Sequence, residues 1–93
     1  MELPINYDEA TGKTRRLARE QYVKEQDGKC CHCGGFLNME PPVKITNQKI
    51  NLRFFPIGFL KNPIHLHHNH NTHMTIGAVH AYCNGVLWQF HGE

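Results

Sequence analysis

Apolar positions along this chain change their spacing twice, from helical to alternating and back to helical. Over residues 14–27, TRRLAREQYVKEQD, strong helix formers dominate, and Leu17, Ala18 and Tyr22 give a narrow apolar stripe. With Thr14 as N-cap and Gly28 as the C-terminal stop, the spacing predicts a helix there. From 43 to 54 the pattern alternates: Val43, Ile45, Ile50, Leu52 and Phe54 are apolar, with Lys44, Lys49, Asn51 and Arg53 between them. That predicts two strands turning at Asn47 and Gln48, one face apolar and the other basic. IHLHH, 64–68, reads as a further short strand, and NHNTHMTIG as a turn. Near Ala78 the helical period returns, with Val79, Tyr82, Cys83, Val86, Leu87 and Phe90 on one face and Gly92 as terminator. Residues 1–13 contain Pro4, Asn6, Asp8 and Gly12 without a period, which predicts an extended arm or loose lead-in before one domain over 14–93. Helices mixed with short strands place the chain in the α+β class. In FFPIGFL, Phe55, Ile57, Phe59 and Leu60 are expected to pack as core under the hairpin, the alternative being an exposed patch for a second subunit.

Length changes this picture by demanding a staple, because 93 residues bury too little apolar surface for comfort. Four cysteines can supply it as disulfides or metal ligands. The opening MELPINYDEATGK has neither the basic start nor the apolar run of a secretory signal, so the expectation is a soluble, intracellular, cytoplasmic chain with reduced thiols. Metal ligation is then the better use of the cysteines. FFPIGFL, the longest apolar run, is far too short to cross a bilayer. A formal charge of +2 does not by itself identify a nucleic-acid binder; the placement of charge must. Arg15, Arg16 and Arg19 share one side of the first helix, either as a solvated face paired with Glu20 or as phosphate contacts.

The candidate chemistry lies in two cysteine-bearing motifs and a histidine cluster. KCCHCGG carries CxxC at Cys30 and Cys33 on a glycine-bearing turn, and HxxC follows at His80 and Cys83. Together they make a three-cysteine, one-histidine set of structural zinc type, with no position left open. Cys31 is set aside because a single residue separates it from Cys33. Between the motifs HHNH offers, within four residues, both a base to deprotonate water and donors for a divalent cation. His67 and His68 could serve one site only if their strand ends or bulges, because successive strand residues face opposite sides. His65 shares the alternation of His67 and is placed to support a ligand from behind. His73 and His91 receive no role.

LHHNHNTHMTIGAVHAYCNGVL, with the CxxC knuckle, resembles the HNH endonucleases, specifically the branch of phage recombination endonuclease VII. That branch has Asp-His-Asp-His followed by Cys-x-x-Cys-Asn at a helix start. The resemblance covers about a third of the chain and implies a small ββα-metal (HNH/His-Me finger) domain with a structural zinc knuckle and an N-terminal helix. It implies His68 as general base, His67 and Asn84 as ligands of a catalytic divalent metal, and His70 as support for metal or phosphate. It also implies hydrolysis of a DNA phosphodiester, with Arg15, Arg16, Arg19, Lys44, Lys49 and Arg53 holding the DNA backbone and little base specificity. A homodimer is suggested by the same branch. The chain departs from the pattern at His67, Asn69, Ile76 and His80. Imidazole in place of carboxylate shifts the expected metal from magnesium toward manganese, nickel or another transition metal. The alternatives are a non-catalytic zinc module that binds nucleic acid or a protein, and an RNA-directed HNH nuclease.

Overall fold

Helix α1 spans Gly12–Glu25 in the computed structural model, which describes residues 1–92. Its cap is Thr11, whose hydroxyl accepts from the Thr14 amide, so Thr14 belongs to the first turn and not to the cap. At the other end Asp27 adopts the left-handed conformation, and the Gly28 and Asp27 amides return to the carbonyls of Val23 and Lys24. This double return closes the helix just before Gly28, as the stop signal predicts.

Strands β1, Ile64–His68, and β2, Thr75–His80, form a two-stranded antiparallel sheet, and helix α3, Ala81–His91, continues directly from β2. The strand at 64–68 agrees with the sequence reading. β2 does not: its residues were expected to be turn and helix start. Every position of β2 except Ile76 is buried, so the alternation that marks a half-buried strand is missing from its sequence. Register runs from Ile64 opposite His80 to His67 opposite Gly77, then shifts between His67 and His68. That irregularity interrupts the regular pairing of β1 just before His68. In the connecting turn the Asn69 side chain accepts from the Asn71 and Thr72 amides, and His73 takes a positive φ of 64°.

The strand pair expected over 43–54 is absent. Residues Val43–Thr46 form a short helix, α2, and Leu52–Phe54 a single 3-10 turn. Pro42, in extended backbone, starts α2, and the Asn51 side chain accepts from the Arg53 amide to start the second turn. Two α3 side chains hold this segment. Tyr82 donates to the Thr46 and Gln48 carbonyls, while Gln89 donates to the Lys49 carbonyl and accepts from the Asn51 amide. Alternation here did not mark a face, since Ile45 is buried but Val43 is exposed. FFPIGFL also departs from the core expectation: Ile57 is fully exposed, Leu60 is 39% exposed, and Phe55 and Phe59 are half-buried.

The segment before α1, expected as an arm over 1–13, gives its last two residues to the helix, and the rest is tied down along the sheet. The Tyr7 amide donates to the His73 carbonyl, the Thr75 amide to the Ile5 carbonyl, and the Ile5 amide to the Thr75 hydroxyl, which also meets the Tyr22 hydroxyl. The core gathers Cys30, Leu37, Ile45, Ala78, Val79, Cys83 and Val86. No helix among the described residues is long and apolar enough to cross a membrane.

Gln26 joins α1 to the sheet. Its side-chain amide donates to the Lys29 and Ala78 carbonyls and accepts from the Ala78 amide, so it pairs with β2 as a strand backbone would. A Cβ at Gly77 would lie 2.7 Å from Gln26 Oε1 and 3.0 Å from both side-chain atoms of Cys31. Because three hydrogen bonds fix that Gln26 amide, Gly77→Ala is expected to cost about 1–3 kcal/mol by overpacking. Denaturant unfolding of the two proteins measures it; an unchanged midpoint would remove Gln26 as a rigid clamp.

Candidate functional site

Cys30, Cys33, His80 and Cys83 converge from two segments, with all four ligand atoms within 4.8 Å of one another. The knuckle brings the first pair: the Gly34 amide returns to the Cys30 carbonyl, and the Cys30 amide to the Gly35 carbonyl. The junction of β2 and α3 brings the second, His80 being the last strand residue and Cys83 lying in the first turn of the helix. Imidazole Nδ1 faces the sulfurs, 3.4 Å from Cys33 Sγ and 3.6 Å from Cys83 Sγ. Its Nε2 sits 2.9 Å from the carbonyls of both Phe36 and Met39, and since carbonyls only accept, Nε2 carries the proton. Nδ1 therefore presents a lone pair to the centre of the cluster, oriented by its backbone partners. Amides of His32 and His80 point at Cys30 Sγ, and that of Gly35 at Cys33 Sγ.

Those contacts favour thiolate character at Cys30, while burial raises the pKa of Cys33. A hydrogen bond from the Cys83 thiol, aided by backbone amides, brings Cys30 down to about 4. The same bond pushes Cys83 up, with burial adding to the effect. Three sulfurs and one imidazole nitrogen at this separation fit tetrahedral zinc, so the four residues make a set that can hold the ion. Cys31 is exposed and outside the cluster, as its spacing predicts.

The other chemistry lies in a cleft of about 590 Å³ beside β1 and α3. His65, His68, His70 and Asn84 line it, together with Tyr7, Arg15 and Arg19. His68 is stacked face to face on Tyr7, with ring centroids 3.9 Å apart and planes 7° from parallel. The Arg15 guanidinium lies 3.9 Å from the Tyr7 ring centroid, and its Nε donates to the Tyr7 carbonyl. Burial, followed by the neighbouring His70 and His67, lowers the His68 pKa below its ordinary 6.5 and keeps the imidazole neutral at pH 7. Asn84 Nδ2 donates to His65 Nδ1 at 3.1 Å, joining helix to strand. His65 is likewise held neutral, chiefly by burial.

No protein-family model matches the chain, and neither a curated protein nor a solved structure does. The site stands on its geometry.

Of the residues singled out from sequence, the cleft unites His68, His70 and Asn84 with Arg15 and Arg19. His67 does not line it and is only 4% exposed. Arg16, Lys44, Lys49 and Arg53 are exposed but lie outside its lining, and the basic strand face expected for the last three is replaced by α2 and the 3-10 turn. Asn69 organises the turn after β1. Tyr7 was missed because the aperiodic arm carries no signal of where it docks. Trp88, another wall residue, was missed because it falls off the apolar stripe of its helix. His73 pairs with Asp8 at 3.0 Å, fastening the arm to the turn.

One zinc per chain is expected by elemental analysis. Cys83→Ser is expected to lose both the metal and the folded circular-dichroism signal, because ligand binding in so small a domain is folding energy. Cys31→Ser keeps both. A folded Cys83→Ser protein would remove the cluster from its structural role.

Proposed function

We propose that this protein is a small metal-dependent DNA endonuclease of HNH type, built as a ββα-metal unit and braced by a structural zinc on Cys30, Cys33, His80 and Cys83. The observation that carries this reading is the meeting of a neutral, half-buried His68 with His70, Asn84 and two arginines in one cleft. The direct succession of β1, β2 and α3 is what the resemblance implies and supports the same reading. A phage origin and a cytoplasmic site of action belong to the proposal through that resemblance.

His68 would take the proton of the attacking water, its ring held in plane by Tyr7. Arg15 and Arg19 would hold the phosphate backbone and offset its charge. His65 engages the Asn84 amide nitrogen, which leaves Asn84 Oδ1 as the donor atom toward a cation. A divalent ion on His67 and Asn84 would supply the positive charge that stabilises the leaving oxygen. Among the described lining residues there is no carboxylate, so imidazole and amide donors suit a transition metal better than magnesium. His70 lines the cleft where His67 does not, which makes it the other candidate imidazole ligand.

One observation favours a non-catalytic zinc module instead. Among the described residues, only the Cys30, Cys33, His80 and Cys83 set brings three or more such ligands together.

Supercoiled plasmid incubated with the protein and magnesium, manganese, nickel, cobalt or zinc tests the two readings. Nicking is expected with a transition metal and to fall by about a hundredfold or more in His68→Ala. Loss of nicking in His67→Ala or His70→Ala identifies the imidazole ligand. No cleavage with any metal would favour the module. The pH profile carries a sign. Since the His68 pKa lies below 6.5, its neutral form persists at more acid pH than an ordinary histidine, so the rate is expected to be flat near neutrality and to fall only below about 6.5. A limb at higher pH would exclude His68 as the base.

A further inference from the structure

The cleft has an aromatic wall that the chemistry above leaves unused. Phe54 and Trp88 line it while remaining 58% and 44% exposed, and the half-buried Phe55 and Phe59 line it beside them. Phe55 stacks on Phe59 at 4.4 Å and meets Trp88 edge-on at 5.3 Å, so the rings support one another. The backbone beneath is fixed by the paired hydrogen bonds of Gln89 to Lys49 and Asn51. This is a preformed apolar surface which the fold leaves uncovered.

We propose that this wall stacks an unpaired nucleobase of single-stranded DNA whose phosphate reaches Arg15 and Arg19. The inference rests on the nuclease reading only for the identity of the strand as substrate. Charge complementarity decides the occupant. The rings and the two arginines line the same cleft, and no Asp or Glu is among the described lining residues, so it offers π-faces beside cations. An aromatic surface beside a cationic track is the recurrent arrangement for single strands, because every base has a face to stack and every nucleotide a phosphate. In a duplex those faces are already stacked on neighbouring bases. A second copy of this chain would bring its own arginines against these, and like charges disfavour that partner. The wall also adjoins the chemistry: Phe59 meets His65 edge-on at 4.8 Å, and His65 holds Asn84. A base on the wall therefore lies next to the phosphate being cut.

Trp88 is the single tryptophan, so stacking has its own optical signal, independent of cleavage. Zinc-loaded full-length His68→Ala protein is titrated with a short oligothymidylate, with a duplex of equal length and with oligouridylate. Oligothymidylate is expected to quench Trp88 fluorescence, and the duplex to bind without quenching. Phe54→Ala, at an exposed position, is expected to weaken oligothymidylate binding about tenfold, the size of one lost base stack. Trp88→Phe retains binding, followed by anisotropy of a labelled strand. Equal quenching by duplex, or unchanged affinity in Phe54→Ala, would overturn the inference. So would a Phe54→Ala protein that turns from dimer to monomer in sedimentation with unaltered oligonucleotide affinity, since the wall would then be a subunit contact. Tighter binding of oligouridylate than oligothymidylate would overturn the assignment to DNA. Quenching without plasmid nicking in the wild-type protein would remove the nuclease reading and leave this one, whereas nicking without quenching would remove this one alone.

Discussion

The convergence of Cys30 and Cys33 with His80 and Cys83 is the constraint on which the other distances in this fold depend. It joins segments fifty residues apart, the separation of Cys30 from His80, in a chain whose core is small. Closing so long a loop costs conformational entropy that a few buried aliphatic side chains repay only partly. Because His80 ends β2 and Cys83 lies in the first turn of α3, the cluster also fixes the angle at which the helix leaves the sheet. Asn84 follows Cys83 directly, so its direction toward His65 is inherited from the ligand beside it.

Around that fixed point the molecule has two unlike sides. On one, the knuckle docks on β2 through the Cys31 amide and the Gln26 clamp, both engaging Ala78, with Gly77 leaving room for the approach. On the other, β1 bulges after His67 and presents His68 to a cleft edged by arm, α1 and α3. Tyr7 belongs to the arm yet sets the plane of the His68 ring, so the terminal segment takes part in the geometry of the cleft.

How much of this was legible depended on whether the physical cause was local. Both long helices follow from composition, period and the Gly28 and Gly92 stops, and the four-residue ligand set follows from spacing. β2 was hidden because burial on both faces erases alternation, leaving Thr75, Gly77, Ala78 and Val79 without a readable period. The reverse error occurred at 43–54, where alternation was present but a proline before it and asparagine capping within it favoured short helical turns. FFPIGFL was expected inside because its composition is apolar; its rings, one exposed and two half-buried, border the cleft. Of the cleft, the histidines and Asn84 could be named from the chain, but not their assembly with Tyr7 and Trp88, which are brought together only by long-range packing.

The arginine lying over Tyr7 has an electrostatic consequence for approach from a distance. The chain carries ten Lys and Arg against eight Asp and Glu, a balance that would attract a polyanion only feebly. Yet two of those cations line a cleft among whose described lining residues there is no acidic side chain, so positive charge is concentrated there. A local concentration of positive charge gives one face a field of its own, and that field turns an incoming polyanion toward it before any contact forms. Orientation at encounter is then set by the field, and weakens as salt shortens its reach.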